Sequence, residues 1–190
     1  MRITLNKGKL NGLYHVKTTR YADDRGFLGR SFDTDIVEKE TGIQFKLVQQ
    51  SLQYSARKNI LRGLHTQRSP MMETKFITCA AGTVLWVTVD VRKKSATFGQ
   101  WESVELNPEG IGGLLIPGGF AHGCVSLTDG TLLVLNTDNP YSPDHGIGIA
   151  WDDPEIGIDW RVEKGKAQIS EEHTKYPSFA DFKKRYGGIE

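Results

Sequence analysis

The stretch "TVLWVTVDVR", residues 83–92, is the clearest β-strand in the sequence. Side chains alternate between the two faces of a strand, so this segment has one aliphatic face and one mixed face. The aliphatic face carries Leu85, Val87, Val89 and Val91, and the mixed face carries Val84, Trp86, Thr88 and Asp90. Because burying apolar surface is favourable, we expect the aliphatic face to pack between two sheets. We expect the mixed face to line a cavity or to meet solvent.

Short strands punctuated by glycines continue on both sides of this segment. The candidates are "FKLVQQSLQY" (45–54), "KFITCAA" (75–81), "WESVEL" (101–106), "GGLLIP" (112–117), "GCVSLT" (123–128) and "TLLVLNT" (131–137). Several of them are separated by Gly82, Gly99, Gly113, Gly119 and Gly130. Many short strands joined by turn residues are typical of sandwiches and barrels. The pattern predicts an all-β fold of the jelly-roll kind.

Helical signals are confined to two segments. "DTDIVEKETG" (33–42) predicts a short helix that Gly42 stops. In "PSFADFKKRYGG", Ser178 is followed three residues later by Asp181, which predicts an N-capped helix over about 177–187. Its aromatic side chains share one face and comprise Phe179, Phe182 and Tyr186. We expect this C-terminal helix to dock on the barrel, so that residues 1–190 form one domain.

The composition excludes several classes of protein. The 24 basic and 23 acidic residues give a net charge of +1, so no basic excess favours a nucleic-acid partner. The longest apolar runs are far shorter than the roughly 20 residues that a membrane span needs. The first residues, "MRITLNKGKLNG", lack the apolar stretch of a secretory signal. We therefore expect a cytoplasmic protein with no membrane partner.

The common cofactor motifs are absent from the sequence. Cys79 and Cys124 have no CxxC spacing and are expected to be buried thiols in strands. Metal-binding jelly rolls of the cupin kind use an HxH pair, but "HTQ" places Gln67 at the second position, so we expect no metal site. Neither a P-loop nor a GxGxxG or GxSxG motif occurs. Phosphate groups, if bound, would need Arg25, Arg62 or Lys75.

Two histidines lie where a predicted strand meets a glycine. His65 follows Arg62 and Gly63 in "ILRGLHTQRSP" (60–70), and His122 lies in "PGGFAHGC". Small neighbouring residues allow a ligand to approach closely, which favours a functional role for both side chains.

Six phrases in the same order resemble one family of enzymes. They are "DDRGFLGRSF" (23–32), "ILRGLHTQ" (60–67), "GTVLWVTVDVRKKSATFGQW" (82–101), "IPGGFAHGC" (116–124), "NPYSPDHGIGIAWDDPEIGIDW" (139–160) and "ISEEH" (169–173). From about residue 10 to 175 the chain resembles the dTDP-4-dehydrorhamnose 3,5-epimerase family. The resemblance implies a metal-free, cofactor-free cupin jelly roll and a homodimer that exchanges strands. It also implies a substrate that is a nucleoside-diphosphate 4-keto-6-deoxyhexose of deoxysugar or O-antigen biosynthesis.

The chemistry of that family explains the residue types. A 4-keto group acidifies the protons on C3 and C5, so a base can remove one and form an enolate. Epimerisation is completed when a proton returns to the opposite face. A histidine suits the role of base near neutral pH, and the enolate oxygen needs a cation or donors.

The resemblance assigns roles residue by residue. His65 matches the general base, Lys75 matches the lysine that stabilises the enolate, and His122 matches the second family histidine. The remaining matches are substrate-binding positions, namely Arg25, Gln49, Ser51, Arg62 and Tyr141. Ser51 stands where the family's "QDN" segment has asparagine.

The acid/base partners differ from the family pattern. The family's tyrosine proton donor aligns with Leu135, or with Val134 or Asn136 after a shift of one residue. None of these side chains is an acid at neutral pH. Asn136 is kept as a candidate for substrate binding. The aspartate that pairs with the base falls on His173, which joins the catalytic candidates. Two glutamates of the family appear as Arg30 and Gly146. The replacement acid is left open among Tyr54, His173, Cys124 and water, although strand alternation directs Tyr54 away from Gln49 and Ser51.

Three functions stay open at this point. The first is an epimerase acting at C3, C5 or both. The second is a related isomerase that moves the ketone through the same enolate. The third is a sugar-nucleotide binding protein without catalysis. The nucleotide also stays open between the thymidine and cytidine forms.

Overall fold

Among residues 2–110, 112–163 and 165–190, which the computed structural model describes, there are thirteen β-strands and two α-helices. The strands are β1 (Ile3–Lys7), β2 (Tyr14–Thr18), β3 (Arg20–Asp23), β4 (Gly26–Gly29), β5 (Gln49–Ser55), β6 (Leu61–Gln67), β7 (Lys75–Ala81), β8 (Val84–Asp90), β9 (Trp101–Leu106), β10 (Gly113–Ile116), β11 (Phe120–Ser126), β12 (Thr131–Thr137) and β13 (Gly146–Gly148). The helices are α1 (Thr34–Thr41) and α2 (Phe179–Tyr186). Neither helix in this described part of the chain is long and apolar enough to cross a membrane.

The strands form two packed sheets and a separate hairpin. The six-stranded sheet has the order β1-β2-β10-β7-β12-β5, and the five-stranded sheet has the order β13-β6-β11-β8-β9. The pairing between neighbouring strands is antiparallel in both sheets. Strands β3 and β4 pair only with each other. The two sheets pack as a jelly roll of the cupin type, which confirms the predicted all-β fold.

The space between the sheets holds an apolar core at one end and the candidate site at the other. Core side chains from the six-stranded sheet include Ile77, Leu114 and Leu133, and Trp86 and Cys124 meet them from the five-stranded sheet. The mixed face of β8 therefore points into the barrel. This places an indole beside the polar groups of the interior.

The aliphatic face of β8 packs on the outside of the barrel, so its predicted position between the sheets was wrong. Leu85, Val87, Val89 and Val91 form one cluster with the C-terminal residues Trp160, Phe179, Phe182 and Ile189. The physical reason is that the C-terminal segment supplies a second apolar surface. Both faces of β8 are consequently buried over its whole length.

The two predicted helices are present with the expected caps. Asp33 caps the first turn of α1 by accepting from the N–H of Ile36, and Gly42 ends this helix at φ 75°. Ser178 accepts from the N–H of Asp181 at the start of α2, and Gly187 ends it. Helix α2 docks on the five-stranded sheet through its aromatic face, which confirms the predicted helix.

Candidate active site

A cavity of about 490 Å³ opens between the two sheets, within the range of ligand sites in proteins. Its walls come from different elements. The six-stranded sheet and the residues just before β7 contribute Gln49, Ser51, Glu73, Lys75, Leu135 and Thr137. The five-stranded sheet contributes His65, Gln67, Ile147 and Gly148, and the C-terminal segment contributes Glu172, His173 and Tyr176. Tyr141 and Pro143 complete the lining.

His65 and His122 are neighbours on adjacent strands. They are directly paired between β6 and β11, and their rings meet edge to face with centroids 4.6 Å apart. His122 is buried behind His65 and stacks on Trp86, with ring centroids 5.4 Å apart. His65 therefore faces the cavity while His122 supports it from within the core.

Both imidazoles are held in the neutral form. Burial lowers the pKa of His65 to about 3, and the positive charges of Lys75, His173 and Arg62 act in the same direction. Burial also lowers the pKa of His122 well below its usual value, with further contributions from His65 and Lys75. A neutral imidazole has a free lone pair, so His65 is in the form that a general base needs throughout the neutral range.

A β-bulge in β6 directs Arg62 and His65 into the barrel together. Arg62 pairs with Cys124 and His65 pairs with His122. The first residues of these two pairs are three positions apart in β6, whereas their partners are two positions apart in β11, so β6 contains one extra residue. Gly63 lies in this bulge at φ 106°. A Cβ atom there would lie 2.6 Å from both the Cα of Gly123 and the carbonyl oxygen of His122, so only glycine fits.

Arg62 does not line the cavity. Its Nη2 donates to the carbonyl oxygen of Tyr54 at 3.2 Å. Its Nε is buried and has no hydrogen-bond partner within the described ranges of the chain. Its charge lowers the pKa of both His65 and His173, so Arg62 contributes positive potential to the site.

Lys75 and Glu73 form an ion pair in the cavity wall at the start of β7. Both side chains are about nine-tenths buried, with 11% and 10% exposed. Burial raises the pKa of Glu73; Lys75 lowers it and the charge of Asp138 raises it, leaving a net increase. Glu73 was not predicted from the sequence, although its spacing of two residues from Lys75 in "ETK" would have placed both on one face.

His173 approaches His65 from the C-terminal segment. It begins a short 3₁₀ helix, His173–Lys175, and its ring centroid lies 6.0 Å from that of His65. Its Nδ1 accepts from the N–H of Gly63 at 3.3 Å. Burial is the largest cause that lowers its pKa, and Arg62 adds to this while Glu172 opposes it. The chain thus brings together the two residues that the resemblance assigns to the base and its partner.

Tyr176 is a second cavity residue that was not predicted from the sequence. Its ring lies 4.9 Å from that of His173 and packs directly on Gly148, where a Cβ atom would lie 2.3 Å from the ring. Burial raises the pKa of its phenol, as do Glu172 and Tyr141. No local motif marks this residue, because its place depends on the path of the C-terminal segment.

Leu135 occupies the cavity wall at the position that the family's tyrosine would take. Its neighbours in β12 point to the opposite face. Asn136 accepts from Gln50 Nε2 at 2.7 Å and donates to the carbonyl oxygen of Phe76, on the outer side of the six-stranded sheet. Asn136 therefore does not line this cavity within its own chain, since strand alternation turns it outward.

Two of the candidate acids also lie outside the cavity. Strand β5 pairs with β12 in regular register over its whole length, so Tyr54 points outward and is 60% exposed. Cys124 is buried in the core, where its Sγ accepts from Gln53 Nε2 at 3.2 Å. Burial raises the pKa of this thiol to about 11. Neither residue is placed to give a proton to a ligand in this cavity.

Some of the predicted substrate-binding residues line the cavity and others do not. Gln49, Ser51 and Tyr141 line the cavity, and Gln49 Oε1 accepts from the N–H of Tyr141 at 2.9 Å. Arg25 does not line it within this chain. Its side chain is 89% exposed in the β3–β4 hairpin, where it pairs with Asp23 at 2.5 Å.

The side chain of Gln67 is engaged by the backbone. Its Nε2 donates to the carbonyl oxygens of Met71 and Pro140, and its Oε1 accepts from the N–H of Ser142. Within the ranges that the structure describes, no group of three or more His, Cys, Asp or Glu side chains is arranged to hold a metal ion.

The chain is similar in sequence and fold to sugar epimerases. The family model for dTDP-4-dehydrorhamnose 3,5-epimerase matches residues 7–181. The Salmonella typhimurium enzyme of that name is 42% identical over 140 residues, which cover 74% of this chain and 76% of the relative.

Solved structures agree with this match. NovW, a 4-keto-6-deoxy sugar epimerase from Streptomyces spheroides, superposes with a TM-score of 0.93 at 25% identity and covers 100% of this chain and 94% of its own. The Legionella pneumophila 3,5-epimerase in complex with dTDP-4-keto-L-rhamnose has a TM-score of 0.87 at 31% identity, with 93% of each chain covered. The chain therefore belongs to the dTDP-4-dehydrorhamnose 3,5-epimerase family.

Proposed function

We propose that this protein epimerises a nucleoside-diphosphate 4-keto-6-deoxyhexose at C3, C5 or both, with His65 as the base. The observation that carries the proposal is that His65 and Lys75 line the same cavity, in which burial lowers the pKa of the imidazole to about 3. A neutral imidazole removes the proton beside the ketone, and the ammonium of Lys75 stabilises the negative charge that forms on the enolate oxygen. The site thus has a base and a cation for the first half of the reaction.

The polar groups along the cavity support a sugar-nucleotide substrate. Gln49 and Ser51 offer hydrogen bonds to sugar hydroxyls, and Tyr141 is 66% exposed, where its ring can stack on a nucleotide base. The half-buried Arg62, whose charge also lowers the pKa of His65, adds the positive potential that a diphosphate needs. We propose a thymidine or cytidine nucleotide.

We further propose that the enzyme is a homodimer. The β3–β4 hairpin exposes Tyr21, Phe27 and Leu28, and the edge of the six-stranded sheet exposes Leu47, Val48, Leu52 and Tyr54. Exposed apolar surface of this kind favours association with a second copy. Through strand exchange the hairpin would carry Arg25 to the partner's cavity, which accounts for its distance from the cavity of its own chain.

A ketone-migrating isomerase is the second candidate. It is favoured by His65 and His173, which line one side of the cavity while the hydrocarbon Leu135 lines it from the other sheet, because such an enzyme removes and returns protons on one face only. The ketone position in the product separates the two functions.

The experiment is solvent exchange in heavy water. The enzyme is incubated with dTDP- and CDP-linked 4-keto-6-deoxyglucose, and NMR follows deuterium and configuration at C3 and C5. Epimerisation predicts deuterium together with an inverted centre at one or both carbons. Absence of exchange at both carbons with every nucleotide form would contradict the proposal.

A further inference from the structure

The wall that faces His65 contains a carboxyl group whose role is unassigned. We propose that Glu73 is a catalytic acid, which gives a proton to the substrate carbon on the face opposite His65. This inference rests on the proposed epimerase function. It answers how the reaction is completed where Leu135 stands in place of a tyrosine.

The position of Glu73 meets the geometric requirement. Inversion needs an acid and a base on opposite sides of the reacting carbon. His65 belongs to β6 of the five-stranded sheet, whereas Glu73 directly precedes β7 of the six-stranded sheet, and both line the same cavity. The carboxyl is held there by Lys75, and only 10% of its side chain is exposed.

The other acidic groups of the cavity lie on the side of His65. His173 accepts a hydrogen bond from Gly63 in β6, and Tyr176 packs on Gly148 of β13, the neighbour of β6. Glu172 adjoins His173 in the same segment. A group on that side is placed to return a proton to the face from which His65 removes it.

The remaining residues of the wall opposite His65 are poor acids or have another role. Leu135 is a hydrocarbon, and Gln49, Ser51 and Thr137 carry amide or hydroxyl groups that hold their protons too tightly. Lys75 is the cation available to the enolate oxygen. Glu73 is the carboxyl left on that wall among the described cavity residues.

The surroundings of Glu73 and His65 move their pKa values in opposite directions, as an acid and a base require. Burial raises the pKa of Glu73 against the opposing effect of Lys75, and Asp138 adds to the increase, while the pKa of His65 falls to about 3. A pair of groups whose environments move their pKa values apart is the usual arrangement of an acid and a base in one site.

The step balances in protons and electrons. The imidazole of His65 takes the proton from the carbon beside the ketone, the C–H pair becomes the enolate double bond, and the carbonyl pair moves to oxygen. Glu73 acts in its protonated form, in which Lys75 holds the neutral carboxyl by a hydrogen bond instead of an ion pair. This carboxyl then gives its proton to the other face, the C–H bond forms and the ketone returns. His65 is left as imidazolium and Glu73 as carboxylate, and exchange with water restores both.

The test separates proton removal from inversion in heavy water. Recovered substrate that carries deuterium reports removal and return on one face, and inverted product reports delivery on the other. We expect Glu73→Gln to keep exchange into substrate within about threefold of the wild type, while inversion falls about 10²- to 10⁴-fold. Glu73→Asp should recover part of the inversion, and Glu171→Gln, an exposed glutamate paired with Lys175, is the matched control.

A second readout needs no variant. In the wild type, the ratio of inversion to exchange should fall as pH rises, because Glu73 loses its proton while His65 stays neutral. The assignment of Glu73 would be overturned by a ratio that does not change with pH. It would also be overturned if Glu73→Gln inverted at the wild-type rate or lost exchange together with inversion. Each of these results would leave the epimerase function standing. Failure of the wild type to exchange at either carbon would instead contradict the proposed function.

Discussion

The ring of His65 meets the ring of His122 edge to face, with centroids 4.6 Å apart, on paired positions of β6 and β11. His122 is in turn stacked on Trp86. This series of rings runs from the cavity into the core, so the orientation of the base is set by packing. It also excludes water from one side of His65, which is why burial is the first cause of its low pKa.

The first prediction concerns the pH dependence of proton removal. Because the pKa of His65 is lowered to about 3, its imidazole stays neutral down to far more acidic conditions than usual. Exchange should therefore be flat from pH 8 to about 5, whereas a histidine of pKa ~6.5 would lose about tenfold by pH 5.5. Solvent-deuterium exchange measured across this range by NMR is the check. A loss that titrates near pH 6.5 would show that the base is solvated.

The low pKa of His65 also affects stability, because the same histidine has an ordinary pKa in the unfolded chain. The unfolded histidine binds a proton below pH ~6.5 and the folded one does not until about 3, so the unfolded state gains protons in between. The free energy of unfolding should fall as pH is lowered through that window. Urea titrations of the wild type and His65→Asn should differ in slope there, and equal slopes would contradict the low pKa.

The second prediction concerns the crowded bulge in β6. A Cβ on Gly63 would lie 2.6 Å from backbone atoms of Gly123 and His122, at a φ of 106°. Gly63→Ala should lower the free energy of unfolding by roughly 1–3 kcal/mol more than a change at an uncrowded position. Gly42→Ala is the matched control, since Gly42 also has a positive φ but its added methyl group would meet no atom within 4 Å beyond its chain neighbours. Equal effects in urea denaturation would show that crowding at the bulge is unimportant.

The third prediction restores a phenol to the wall that faces His65. Leu135 lines the cavity from β12, so Leu135→Tyr places a hydroxyl on that wall. In a Glu73→Gln background this change should recover inversion by about tenfold or more, because the phenol replaces the missing acid. The fraction of inverted product measured by NMR is the readout. Val134→Tyr, which points to the outer face, should recover nothing, and equal recovery by both variants would contradict the assigned faces.

The fourth prediction concerns the exposed edge of the six-stranded sheet. Leu52 is 69% exposed on β5, an edge strand that offers unpaired backbone groups to another copy. Leu52→Asp should convert a dimer into a monomer in sedimentation experiments and raise KM, since Arg25 would no longer reach a partner's cavity. Lys166→Asp, at an exposed site away from this edge, should leave the dimer intact. A wild-type enzyme that sediments as a monomer would contradict the proposed assembly.

Local patterns predicted the strands with strong alternation and the capped helices. Strands β7, β9 and β12 have the predicted bounds, and Ser178 and Gly187 bound α2 as expected. The faces of β8 were assigned wrongly because burial of its aliphatic face depends on the C-terminal segment, which is distant in sequence. Strands β1 to β4 and β13 were missed because they are short, at three to five residues, and have weak apolar alternation.

The site residues that the resemblance supplied could be predicted from the sequence. Residues whose face of a strand depends on the register were harder to predict. His65, Lys75 and His173 come together in one cavity, but no single motif contains all three. Asn136 differs from Leu135 by one step along β12, and that step turns it to the other face. Glu73 and Tyr176 were missed because their places depend on tertiary contacts, with Lys75 for Glu73 and with His173 for Tyr176.

Removal of the substrate proton by His65 is tested most directly by deuterium incorporation in the wild type and His65→Asn. We predict that His65→Asn loses exchange by about 10²- to 10⁴-fold, while nucleotide affinity measured by calorimetry changes less than about threefold. His145→Asn is the matched control, because His145 bonds to Ser142 outside the cavity lining and should exchange like the wild type. Exchange by His65→Asn at the wild-type rate would show that another group is the base.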